Sequence, residues 1–314
     1  MAVRPVLSGS VSLLHNNLQC SPTGWLACVH NSATAGAGKI LLHSLQNAAS
    51  RDGADPSQVS SIRYHTLPWG SVLCICSTNG TKIYSEDCLS VHFYRQVNDP
   101  TCPQDMVKKH QGSCVVPCLH QIVVGSSKGA LLVIHAPSAD HMTALAEANP
   151  MEPLPAEVAD VCFNDVSNSV VSAHINGELR VWTGQNGAWE NTRAVDPQGA
   201  QAPVRIASLG ARLVVAYGPG TIRLYDALAY IVQVEITAHA RWLTAMAVRE
   251  DVGQVATVGE DTVLNVWQVE PNTCQVSLVH SSVVVDKLLT GVAYVAGGVI
   301  VTAYDAAELY QVMF

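Results

Sequence analysis

The chain has 314 residues, of which 48% are hydrophobic and 13% charged, and its formal net charge is −8. That apolar content excludes a disordered chain, and an acidic balance with no basic run longer than Lys108-Lys109 leaves nucleic acid without an electrostatic footprint. No window of 18 apolar residues suggests a membrane span and the first twenty residues lack the apolar stretch of a secretion signal, so the expectation is a soluble, cytoplasmic protein whose ten cysteines stay reduced.

In chain order, the first predicted element is an extended segment, "VRPVLSGS" (3–10). Seven hairpins of alternating, valine-rich strands follow. They are "GWLACVHNSATAGAGKILLHSL", "SVLCICSTNGTKIYSE", "QIVVGSSKGALLVIHA", "SVVSAHINGELRVWT", "RLVVAYGPGTIRLYD", "QVATVGEDTVLNVWQV" and "GVIVTAYDAAELYQVM". Helical periodicity is nearly absent; "DHMTALAEANPM" (140–151) predicts a helical turn or two, stopped by the prolines at 150, 153 and 155.

The seven turns fall near Ala37, Asn79, Lys128, Asn176, Pro219, Asp261 and Asp305, separated by 42, 49, 48, 43, 42 and 44 residues. A period slightly above 40, with a further strand flanking each hairpin on either side ("VADVCFND" and "WENTRAV" in the fourth), describes four-stranded units. One such sheet exposes two hydrophobic faces, and radial stacking buries both. The predicted fold is therefore an all-β, seven-bladed β-propeller occupying 1–314 as one domain, with approximate blades 10–58, 59–98, 108–150, 151–197, 203–237, 238–282 and 283–314 plus 1–9. The last hairpin reaches Phe314 without a fourth strand, so the segment before the first blade is expected to complete it, with Pro5 at a non-bonding position.

Fragments that resemble catalytic or metal motifs fail on context. "GSSKG" (125–129) has the Gly-x-Ser-x-Gly spacing but leads into another strand rather than a helix. "AGAGKI" has Ala33 and Ile40 where a phosphate loop needs glycine and Ser/Thr. Cys114, Cys118, His110 and His120 match no zinc spacing, and Pro117 interrupts them. Neither a metal nor a cofactor is expected.

The sixth repeat carries His239 before its first strand, Thr257 in its second, Asp261 at the turn and Trp267 in its third, all converging on one corner. These residues resemble the WD40 repeat family, although Ala238 and Gln268 stand where that family has glycine and aspartate. The resemblance implies a structural clasp rather than a catalytic group: an imidazole bridging carboxylate and hydroxyl, with the indole N–H at the far end. The fourth repeat keeps Ser172, Asn176 and Trp182, the fifth has Tyr225 for tryptophan, and the seventh retains Asp305.

Because the first two strands of a blade run antiparallel, the loop entering the first and the turn leaving the second share one rim. That rim is expected to collect Arg241, Trp242 and Glu260 from the sixth blade, His174 and Ile175 from the fourth, Tyr217 from the fifth and Tyr304 from the seventh. Arginine and aromatics are the residue types of binding hot spots. The expected function is a non-catalytic scaffold whose partners are other proteins; the alternative is an enzyme or small-ligand binder using the central channel, which would gather carboxylates, histidines or arginines there. With 6 lysines beside 11 arginines, the composition suggests a GC-rich genome such as a unicellular alga's, where many proteins of this family are built into the ciliary axoneme. An axonemal or other cytoskeletal assembly is the alternative location.

Overall fold

In the computed structural model the described residues are 3–8, 12–31, 37–47, 49–55, 57–97, 108–145, 147–149, 156–185, 188–197, 199, 201–270 and 273–314. The loop of the first hairpin (32–36), the end of the N-terminal segment (9–10) and positions 146, 150 and 151 of the predicted helical turn lie outside them.

The strands are β1 (Val3–Ser8), β2 (Leu18–Cys20), β3 (Trp25–Asn31), β4 (Gly38–Ser44), β5 (Ser50–Asp55), β6 (Val59–Leu67), β7 (Gly70–Ser77), β8 (Gly80–Ser85), β9 (Val91–Gln96), β10 (His110–Val116), β11 (Gln121–Ser126), β12 (Leu131–Ser138), β13 (His141–Ala144) and β14 (Val158–Asn164). There follow β15 (Ser169–His174), β16 (Leu179–Gln185), β17 (Ala188–Val195), β18 (Pro203–Leu209), β19 (Arg212–Tyr217), β20 (Thr221–Asp226), β21 (Val232–Thr237), β22 (Leu243–Arg249), β23 (Gln254–Gly259), β24 (Val263–Val269), β25 (Val276–Val283), β26 (Leu289–Val295), β27 (Gly298–Ala303) and β28 (Glu308–Met313). They form seven four-stranded sheets: β2 to β5, β6 to β9, β10 to β13, β14 to β17, β18 to β21, β22 to β25, and β26 to β28 completed by β1. β25 ends at Val283, one residue beyond the 282 expected for the sixth repeat.

Residues 140–151 differ from the sequence expectation. Over 141–144 the chain is a strand, β13, pairing Ile134 with Ala144 and His135 with Thr143. A weak local helical pattern yields here to the open edge of β12, because tertiary pairing outweighs propensity in a segment this short.

The second strands are largely enclosed; β11, β15 and β27 are buried along their whole length. Outer strands alternate, as β21 does between half-buried and exposed positions, which is the pattern of a sheet edge wet on one side.

The strands group into two compact units, Met1–Ala54 with Ala207–Phe314, and Asp55–Ile206. Within the first, Val258, Leu264 and Val266 of the sixth sheet share a core with Leu289, Val299 and Val301 of the seventh. Within the second, Cys74 and Ile83 pack with Ile122 and Ile134, and Val123 and Val133 with Val161 and Trp182. Within each unit, neighbouring sheets thus bury apolar faces on one another, the physical reason a single repeat cannot stand alone.

Candidate functional site

In the sixth sheet the loop entering β22 and the β23–β24 turn bring four side chains together. The Nδ1–H of His239 donates to Asp261 Oδ1 at 3.0 Å, Thr257 Oγ1 donates to His239 Nε2 at 3.0 Å, and Trp267 Nε1–H donates to Thr257 Oγ1 at 3.2 Å. Asp261 also accepts the N–H groups of Ala240 and Val263, the latter one residue beyond Thr262, whose φ of 67° closes the turn. The His239 side chain is fully enclosed. Burial holds its pKa below the ordinary value, opposed by the Asp261 hydrogen bond and charge, so the imidazole is neutral with its proton on Nδ1. Thr257 is equally buried and its proton is committed to the ring, so it offers no nucleophile to solvent. Asp261→Ala removes the acceptor at one end of this chain and should destabilise the protein by roughly 2–4 kcal/mol. Urea denaturation measures it; a midpoint equal to wild type would mean the clasp carries no stability.

The fourth sheet builds the same chain of donors with a different set of residues. Trp182 Nε1–H donates to Ser172 Oγ at 2.8 Å, Ser172 donates to His174 Nε2 at 2.8 Å, and His174 Nδ1–H donates to the Ala156 carbonyl at 2.7 Å. A backbone carbonyl stands in for the carboxylate, and Asn176 stays in the turn, accepting the Glu178 N–H. His174 is therefore not a surface residue, contrary to the expectation for it: it is completely buried, and burial pushes its pKa down to about 4. The sequence signal was present, since Ser172 and His174 are two apart on one strand and so share a face.

Tyr217 is a second correction. It ends β19 as His174 ends β15, and it too is completely buried, its hydroxyl 2.7 Å from that of Tyr225, with the Arg223 guanidinium 4.9 Å from its ring centroid. A phenol can reach inward to a partner on the next strand, so the strand's last residue becomes part of the clasp instead of the rim.

The other proposed contact residues are exposed or half-buried. Arg241 and Ile175 are exposed, Trp242 is 38% and Tyr304 41% exposed, and Glu260 is half-buried. Glu260, Tyr304 and Ile175 occupy equivalent positions in their sheets. Each donates its N–H to the carbonyl just before the first strand, that of Trp242, Leu288 and Glu157 respectively. Thr78 and Ser127 make the same bond to Gln58 and Lys109 and extend the set to the second and third sheets, where no aromatic or charged side chain marked them. Trp242 is held by its neighbour: a Cβ on Gly218 would come within 2.0 Å of the indole, so only glycine lets the ring lie there.

His110, considered for zinc, is buried with Nδ1 2.8 Å from the Thr81 hydroxyl. Among the described residues no group of three or more His, Cys, Asp or Glu is placed to hold a metal ion, and no helix is long and apolar enough to cross a membrane. A surface cleft lined by Leu209, Arg212, Glu250, Asp251 and Val269 contains no histidine, serine or cysteine.

Seven four-stranded sheets, closed at the seventh by β1 and clasped by indole–hydroxyl–imidazole chains, define a WD-repeat β-propeller. The same fold appears across 100% of this chain and 93% of a chain in the crystal structure of a mitotic checkpoint complex, with a TM-score of 0.75 at 13% identity. The chain belongs to the WDR54 family, whose model matches residues 13–313. It is 26% identical to WD repeat domain 54 of Rattus norvegicus over 97% of this chain and 96% of that one, and 25% identical to WD repeat-containing protein 54 of Homo sapiens over 96% of each.

Proposed function

We propose that this chain is a non-catalytic scaffold that binds other proteins through the rim formed by Arg241, Trp242, Glu260 and Tyr304. The observation that carries the reading is the division of labour among its polar groups. His239, Thr257 and Asp261 of the sixth sheet and Ser172 and His174 of the fourth are spent on buried clasps, while Arg241 and Trp242 in the loop entering β22 and Tyr304 just past the end of β27 remain exposed. Those are the side chains that supply binding energy at interfaces. A solved chain of the same fold is found in a multiprotein complex, in keeping with this role. The proposed location is the cytoplasm; the excess of arginine (11) over lysine (6) leaves a ciliary axoneme or other cytoskeletal assembly as the alternative.

Arg241→Glu combined with Tyr304→Ala should reduce the recovery of partners in affinity capture from native extract while leaving the melting temperature unchanged, since neither side chain is in a clasp or core. Wild-type recovery of every partner by the double variant would move the interface to the opposite rim or the outer strands.

A further inference from the structure

Within the unit 55–206, the first strands β6, β14 and β18 bring two arginines to one aspartate. Arg63 takes nearly all that Asp160 offers: its Nη2 donates to both carboxylate oxygens at 2.8 Å, and the Ile206 N–H donates to Oδ2 at 3.0 Å. The other arm of Arg63 is saturated by the carbonyls of Ser113 at 2.6 Å and Val161 at 2.8 Å. Asp160 cannot move toward a second partner, because β10 presses on its backbone where a Cβ on Gly112 would fall 2.7 Å from its Cα. Among the described residues, Arg205 is left with a single polar contact, 3.7 Å from Asp160 Oδ2, too long for a hydrogen bond.

Two cations and one anion leave one positive charge in excess, in a place where water reaches little of it: the Arg205 side chain is 14% exposed and that of Asp160 4%. Burial, and next the charge of Arg63, push the Arg205 pKa down to about 9, so the group is still a cation at neutral pH but an electrostatically disfavoured one. A guanidinium carries five N–H donors in a planar fork matched to carboxylate and phosphate oxygens, and among the described residues none accepts a hydrogen bond from Arg205. The chain as a whole is acidic, so this excess is local rather than part of a general basic surface.

We propose that Arg205, seated against the Arg63–Asp160 pair, is a binding site for a small oxyanion, a phosphate or a carboxylate. The anion neutralises the excess charge and takes up the free donors of the fork. Arg63 contributes by holding Asp160 away from Arg205, and no bond is made or broken. This inference stands apart from the scaffold reading, because it rests on buried first-strand residues and none of the rim.

The test is thermal melting of the full chain in inorganic phosphate or acetate against chloride at matched ionic strength. The wild-type melting temperature should rise saturably. In Arg205→Met the apparent affinity should fall roughly tenfold or more, the loss of a charge-assisted pair, while Arg205→Lys keeps part of it. Without added anion the Met variant should melt no lower than wild type, because it loses an uncompensated cation; a purely structural Arg205 would give the opposite result. A glutamate-rich peptide, run in parallel, separates the two sources: a response to it identifies a partner's side-chain carboxylate, and a response to phosphate and acetate alone identifies a free anion. Should the Met variant not fold, broadening of the phosphate resonance in 31P NMR by wild-type protein, reversed by acetate, reads the same site. Silence towards all three probes, or an undiminished response in Arg205→Met, overturns the proposal.

Discussion

Removal of residues 1–9 should lower the unfolding free energy by about 4–6 kcal/mol, from orphaned backbone groups at about 1–3 each and lost side-chain burial. β1 pairs antiparallel with β28, Val3 opposite Val312, Arg4 opposite Gln311, Leu7 opposite Leu309 and Ser8 opposite Glu308. Pro5, which has no N–H to give, is opposite Tyr310 where the register shifts before Leu7, so the strand keeps its pairing around it. Val6 and Leu7 also cover Leu309, Ile300 and Leu26. Without β1 the ladder of β28 becomes an open edge, and aggregation should accompany the loss of stability. Urea denaturation and light scattering measure both; a truncated protein with the wild-type midpoint would show that β1 contributes nothing to closure.

Acid should be at least as damaging. Between pH 7 and pH 4 the protein should lose on the order of 6 kcal/mol, about 3 kcal/mol from each of two buried histidines by linkage. Burial, reinforced by the charges of Arg63 and Arg205, pushes His65 down to about 3, and burial pushes His174 down to about 4. Both rings are neutral and bound to hydroxyls, His65 to Ser113 at 2.8 Å and His174 to Ser172 at 2.8 Å. Their folded-state pKa values lie below the unfolded value of 6.5, so the unfolded chain takes up protons first. Their contribution is complete above pH 6.5 and is lost as pH falls through about 4 and then 3. His239 and His15 are shifted in the same direction. Denaturation midpoints at pH 7, 5.5 and 4 should decline steeply for wild type and less so for His65→Gln and His174→Gln. A flat profile over this range would mean these imidazoles are protonated without cost.

The seven-sheet architecture was legible because its causes are local and repeated. Alternation along a strand reports which face is buried, and turns spaced 42 to 49 residues apart report how many sheets there are. The need for β1 followed from counting strands against backbone hydrogen bonds in the last repeat. The His239, Thr257, Asp261 and Trp267 corner could be read because a hairpin's register spaces the last three, with Thr257 opposite Asn265 and Val255 opposite Trp267, and His239 lies in the loop entering the strand that pairs with β23.

Other features depend on what the rest of the chain places nearby. His174 and Tyr217 end their strands as Gly259 ends β23, and no pattern within the repeat says whether such a residue turns outward or inward; the hydroxyls of Ser172 and Tyr225 and the carbonyl of Ala156 settle it. β13 is a strand because β12 has an edge to fill. Arg63, Asp160 and Arg205, up to 142 positions apart, carry no motif at all. Their meeting, and the charge it leaves over, arises from the packing of separate first strands, and charge balance in a buried cluster is a property of that packing and not of any one segment.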